Sequence, residues 1–220
     1  MTARYALLLA LLLPLAPIGA NAAGAAPAPD VAPLVEGRDY QVIADGKPFA
    51  PVAGKIEVAE IFSYGCHHCA NFEPMVEAWR AKQPKDVRFS YVPVVYELDD
   101  PFAQAYFATQ AMGVNAKTHA ATFNAVHETQ DLPRNPSVEE LAAFYATLGI
   151  NQAKFKATAT GPAVAARLKQ AQAFALASGI EGTPSLVVNG KYLVHAHTLE
   201  DQLRVVEQLV ARERAAKRGK

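Results

Sequence analysis

The sequence predicts a mixed α/β fold, a mixed β-sheet with a block of helices inserted in its middle. Three observations carry this. Apolar, β-branched runs occur at both ends of the folded part, at 55–64, 87–95 and 185–194. Between them lie four Ala-rich segments of helical period. Gly and Asn-Gly punctuation separates the pieces at the spacing of single elements.

In chain order, residues 1–22 have the layout of a secretory signal peptide. Arg4 supplies the positive start, Ala6 to Leu13 the apolar run, and Ala20-Asn21-Ala22 the small-residue cleavage site. The run is short for a bilayer of ~30 Å, so the mature protein is expected not to be an integral membrane protein. Residues 23–36, rich in Ala and Pro, read as a flexible leader. Residues 40–43 form a first short strand. Lys55 to Tyr64 is a buried strand that Gly65 ends, and helix follows from Cys66 to about Gln83, with Pro74 expected to kink it. Val87 to Val95 is a further strand.

The helical block comes next: 100–112, 117–128, 137–148 and 162–178. Asp100-Pro101 and Ser137 with Glu140 mark starts, and Gly113, Gly149 and Gly179 mark stops. Ser185 to Val188, the Asn189-Gly190 turn and Lys191 to Val194 make a hairpin, and a last helix begins at Thr198. The division is therefore 37–98 with 180–220 as the sheet domain and 99–179 as an inserted helical domain.

The chain has 220 residues, 21 basic and 21 acidic. No net field favours nucleic acid, so none is expected as a partner. The basic run at 212–220 reads as a solvated helix end.

The chemistry concentrates in Cys66-His67-His68-Cys69, which holds the only two cysteines. A bridge here closes a very small loop and constrains the unfolded chain little, so a redox centre is favoured over a staple. Cys66 opens a helix, where free N–H groups and the dipole favour a thiolate. It is expected to form the mixed disulfide, and Cys69, one turn inside, to resolve it. His68 is expected to fold back over Cys66 and tune its thiolate, and His67 to tune it or shape the exposed surface.

Glu60 is a lone carboxylate on an apolar strand, in alternation with Val58, Phe62 and Tyr64. It is expected to be buried behind the cysteines and to exchange a proton with Cys69. Pro184 at a strand start marks a special turn, with a cis bond among its options. That turn leaves the Thr183 backbone free for an extended substrate peptide. His119 and His127 are expected at the surface, and His195 and His197 in a solvated loop.

These pieces resemble the thioredoxin superfamily, and most closely the DsbA family of periplasmic disulfide oxidants. The residues that carry this are Phe62 to Cys69, Phe72-Glu73, Gly182-Thr183-Pro184 and Val188 to Tyr192. The resemblance implies a thioredoxin-like mixed sheet with an inserted helical domain. It implies Cys66 as nucleophile, Cys69 as resolving thiol, Pro184 as a cis-proline facing the pair, and Glu60 as the buried acid. It also implies reduced exported proteins as substrates and a DsbB-like membrane quinone reductase as reoxidant. A monomer is the default expectation, and no cofactor or metal is expected. His67 stands where the family usually has proline, Thr183 where it commonly has valine, and Tyr91 where a lysine often accompanies the buried acid. The segment after Tyr192 is short for the family.

Two alternatives stay open. One is a disulfide isomerase or reductase on the same fold. The other, of a different class, is a metal carrier using the thiols and imidazoles, against which stands the difficulty of converging four consecutive residues on one ion.

Overall fold

The computed structural model describes residues 32–219. The expected signal peptide, its cleavage site and most of the leader lie outside the described residues.

Twelve elements follow one another among them: β1 (Tyr40–Val42), β2 (Ile56–Phe62), α1 (His67–Arg80), β3 (Val87–Pro93), α2 (Pro101–Ala111), α3 (Asn115–His127), α4 (Val138–Thr147), α5 (Gln152–Ala159), α6 (Pro162–Ser178), β4 (Ser185–Val188), β5 (Tyr192–Val194) and α7 (Leu199–Arg218). The five strands form one sheet in the order β1-β5-β4-β2-β3. β2 and β3 run parallel, joined through α1, and every other pairing is antiparallel. All seven residues of β2 are buried, as expected of a strand with a neighbour on each side and both faces covered. α7 packs across β2, β4 and β5. It buries Val205, Val206, Leu209 and Val210 there, an i, i+4 stripe.

Local chemistry explains the boundaries. Asp100 caps α2, accepting from the Ala103 N–H at 3.0 Å, with Pro101 in the first turn. Ser137 and Glu140 form a reciprocal capping box at α4. Gly113, Gly149 and Gly179 all have positive φ just past helix ends. The Asn189-Gly190 turn has φ of 52° and 67°, which matches a tight hairpin. α1 runs on through Pro74.

One helix escaped the sequence reading. α5 has only Phe155 and Ala159 buried, too few apolar positions to show a period. Its signal is the Asn151 cap, whose side-chain oxygen accepts from the Lys154 N–H at 2.8 Å.

The inserted helices share the sheet's core. Phe62, at the end of β2, packs its ring against Tyr106 of α2 and against His119 and Phe123 of α3. The end of β2, where α1 begins, is thereby fixed from two sides.

Candidate active site

The site is assembled where β2 ends. Gly65 leads into Cys66, whose extended backbone (φ −87°, ψ 116°) makes it the residue that caps α1. Its Sγ accepts from the Cys69 N–H at 3.4 Å. A sulfur thus takes the capping role that an oxygen usually fills, and sits at the positive end of the helix. Both cysteines are free thiols.

Their surroundings differ sharply. Cys66 is half-buried, and Cys69 is fully buried. The Cys66 thiol is lowered to about 5. The largest cause is the hydrogen bond from the Cys69 side chain, helped by the Thr183 side chain and the Cys69 and His68 backbone N–H groups, and opposed by partial burial. The Cys69 thiol is pushed far up, first by burial and then by its bond to Cys66 and the nearby Glu60. One sulfur is therefore an anion at neutral pH, and the other a proton-bearing thiol that donates to it.

From the far side comes the loop before β4. The Thr183–Pro184 peptide bond is cis, and the Cys66 thiol points at the Thr183 carbonyl oxygen, 3.3 Å away. Thr183 and Pro184 are both half-buried. The two residues singled out from sequence, over a hundred positions from the cysteines, thus lie against them.

His67 and His68 are exposed. The His67 Nε2 is 3.2 Å from the Asn71 Nδ2, and its ring lies 5.8 Å from that of His127. No hydrogen bond joins the His68 ring to Cys66 among the described residues; His68 touches the thiolate through its backbone N–H.

Glu60 is 1 % exposed, and its Oε2 has no hydrogen-bond partner among the described residues. Burial holds its carboxyl well above the usual range, with Glu73 and Cys66 adding to this. Glu57, on the opposite face of the same strand, shows the contrast. It is as buried, but it accepts from the Ser90 hydroxyl at 2.6 Å and from the Ala50 N–H. In the register of β2 and β3, Glu60 stands opposite Tyr91.

Sequence reasoning missed the polar cluster behind the pair. His119, expected at the surface, is buried. Its Nδ1 is 2.7 Å from the Tyr64 hydroxyl, and its Nε2 is 3.3 Å from the Glu73 carboxylate. Tyr91 donates to Glu73 at 2.8 Å and to Glu77 at 2.9 Å. His127, also expected outside, is half-buried with Nε2 2.7 Å from the Tyr64 carbonyl oxygen. The signal was present: His119 falls at helical spacing with Thr122, Phe123 and Val126, the buried face of α3. His195 is half-buried and His197 exposed, after β5. Among the described residues, no cluster of three or more His, Cys, Asp and Glu side chains is arranged to hold a metal ion.

Comparison with known proteins bears on this geometry. Residues 41–208 match the family model described as Thioredoxin. The chain is 39 % identical over 184 residues to the thiol:disulfide interchange protein DsbA of Azotobacter vinelandii, covering 82 % of this chain and 85 % of that one. It is 37 % identical over 172 residues to DsbA of Burkholderia cepacia, covering 78 % and 80 %. The crystal structure of the oxidoreductase DsbA from Xylella fastidiosa superposes with a TM-score of 0.80 at 50 % identity, covering 83 % of this chain and 98 % of that chain. The chain belongs to the DsbA family. Within that family it is a thiol:disulfide oxidoreductase with a thioredoxin-like fold. The DsbA of Pseudomonas aeruginosa shares the same architecture, with a TM-score of 0.76 at 34 % identity over 83 % of this chain and 95 % of that one. No described helix is long and apolar enough to cross a membrane.

Proposed function

We propose that this DsbA-family protein is exported to the periplasm, loses residues 1–22 and acts there as a monomer, donating a Cys66–Cys69 disulfide to reduced exported proteins. A substrate thiolate attacks the Cys66 Sγ. The Cys66–Cys69 bond breaks, a mixed disulfide forms, and Cys69 leaves and takes a proton. A second substrate thiolate attacks the substrate sulfur of the mixed disulfide and releases Cys66 as its thiolate. The substrate loses two electrons and the pair gains them. A DsbB-like membrane quinone reductase then reoxidises the pair.

The observation that carries this reading is the inequality of the two sulfurs. A leaving thiolate of low pKa departs readily, and Cys66, lowered to about 5, leaves the mixed disulfide easily. Stabilising the reduced form also makes the bridge a stronger oxidant, by about 30 mV per 1.4 kcal/mol. Glu60 is the group placed to give Cys69 its proton, since it is buried, held protonated and raises the Cys69 pKa. Pro184 shapes the loop that brings Thr183 to Cys66, and the Thr183 backbone pairs with the substrate peptide. His68 supports the thiolate with its N–H, and its ring, with that of His67, forms the exposed rim.

Oxidised protein mixed with a reduced, unfolded substrate tests the reading. One disulfide per molecule is expected to appear in the substrate as thiols appear on Cys66 and Cys69. The Cys66→Ser variant is expected to transfer none, and transfer at the wild-type rate by that variant overturns the assignment.

A further inference from the structure

Tyr64 and Gly65 are the middle residues of the turn that joins β2 to α1. The Cys66 N–H closes it, donating to the Ser63 carbonyl at 3.1 Å. With glycine in its third position, such a turn has two forms open to it, which differ by turning the Tyr64–Gly65 peptide over. One of them needs a positive φ at Gly65, which Gly65 does not have. The peptide just before Cys66 is therefore held in one of two orientations.

Both ends of that peptide are gripped. Its N–H donates to the Ser63 hydroxyl oxygen at 3.2 Å, and its carbonyl oxygen lies 2.7 Å from the His127 Nε2. A carbonyl only accepts, so His127 carries a proton on Nε2. Ser63 is a local partner. His127 is the last residue of α3, 63 positions from Tyr64.

The same helix reaches Tyr64 a second time. His119, about two turns earlier, has its Nε2 3.3 Å from the Glu73 carboxylate. The proton belongs on that nitrogen, so Nδ1 accepts from the Tyr64 hydroxyl 2.7 Å away. The Tyr64 ring packs edge-on against Phe123 between the two histidines, 5.0 Å from centre to centre. Over Gly65, the Arg134 carbonyl oxygen and the Phe102 ring lie 3.5 and 3.7 Å from where a Cβ would stand. The helices between β3 and β4 thus fix both residues that precede Cys66. The sulfur depends on this because its partners belong to separate pieces: the Cys69 N–H to α1, and Thr183 to the loop before β4. Hydrogen bonds weaken steeply when misaligned, so a turn free to flip would cost Cys66 both contacts.

We propose that His127 and His119 are positioning residues of the redox centre: by holding Tyr64 at its carbonyl and its hydroxyl, α3 fixes the turn that aims the Cys66 sulfur at its partners. The inference rests on Cys66 and Cys69 being the redox pair. It assigns to the helices between β3 and β4 the alignment of that pair, without giving them any atom of its chemistry.

The test follows, on the full chain, the Cys66 thiol by absorbance against pH, the Cys66–Cys69 equilibrium with glutathione, and stability in urea. His127→Leu fills the space without the N–H. It is expected to shift the ionisation of Cys66 about tenfold towards the thiol, and so to lower the potential by about 30 mV. His127→Gln, whose amide N–H can reach the same carbonyl, is expected to restore the wild-type values. Leu141→Ala, which opens a cavity at a buried residue of α4, is expected to lower stability and leave the thiol alone. A less stable His127→Leu with an unchanged Cys66 thiol overturns the proposal. So does an equal shift in His127→Gln or in Leu141→Ala. If no His127 variant folds, nitrogen NMR of the wild-type rings above pH ~8 decides: both histidines are expected to carry their proton on Nε2, and a proton on Nδ1 of either one overturns the clamp. A pair that exchanges no disulfide with glutathione at all sinks the redox reading instead.

Discussion

The Cys66 Sγ lies 3.3 Å from the Thr183 carbonyl oxygen, so the residue before the cis-proline touches the sulfur that caps α1. Its backbone oxygen accepts from the neutral thiol, whereas its side chain helps the thiolate. Thr183→Val keeps the shape and removes the hydroxyl. The Cys66 pKa is expected to rise by about half a unit to one unit, each unit being worth about 1.4 kcal/mol. The reduced form is then less favoured, and the redox potential falls by about 15–30 mV. Thiolate absorbance against pH and equilibration with glutathione measure the two. An unchanged Cys66 pKa in the variant contradicts this part of the geometry.

The lowered Cys66 pKa also sets a pH dependence. Its thiol titrates at about 5 in the fold against a model value of 9.0. Because the folded value is the lower one, the thiolate stabilises the reduced fold fully above about 9. That stabilisation shrinks as pH falls through this window and is gone below about 5. The oxidised form has no such group. The stability difference between reduced and oxidised protein is therefore expected to narrow steadily from pH 9 to pH 5. Urea unfolding of both forms at a series of pH values checks it. A difference that is flat over that range would mean that the Cys66 thiol is unperturbed.

Gly190 is expected to be intolerant of any side chain. Its φ is 67°, and a Cβ there would run into the Lys47 carbonyl group and the Pro48 nitrogen, backbone atoms that have no room to yield. Gly190→Ala is expected to cost about 2–4 kcal/mol, combining left-handed strain with a forced backbone shift. The hairpin lies away from the thiols, so the Cys66 pKa is expected to stay the same while the unfolding midpoint drops. Chemical denaturation with thiol titration separates the two effects.

The order of elements and the place of Cys66 at a helix start were legible in the sequence because both rest on local rules. Helix caps such as Ser137 with Glu140 and turns such as Asn189-Gly190 act within a few residues, and Cys66 at a helix start carries its own field. The meeting of Thr183 with Cys66 is long-range, and proline at a strand start was its only local trace. The cluster of Tyr64, His119, Glu73 and Tyr91 was harder to see. Each is an ordinary residue on its own element, and only the packing of α1 and α3 beside β3 brings them together. His119 is buried because it shares the inward face of α3 with Thr122, Phe123 and Val126. α5 was missed because its exposed, mixed composition hides the period.

Glu60 offers the sharpest test of how burial serves the chemistry. Burial raises its carboxyl well above the ordinary 4.5, so the fold holds it protonated where the unfolded chain would ionise. The folded pKa is the higher one. This group therefore costs stability as pH climbs above about 4.5, and the cost grows until the folded carboxyl itself ionises. Glu60→Gln removes that cost without changing shape. At neutral pH the variant is expected to be more stable than wild type, and close to wild type below pH 4. Turnover is expected to move the other way. Cys69 is buried and holds its proton tightly, and an amide cannot give or take one, so disulfide exchange is expected to slow by about tenfold or more. Stability and turnover measured on the same variant thus carry opposite signs if Glu60 is a buried proton donor. A loss of both would mark it as a packing residue, and an unchanged rate with a gain in stability would leave Cys69 exchanging its proton by another route.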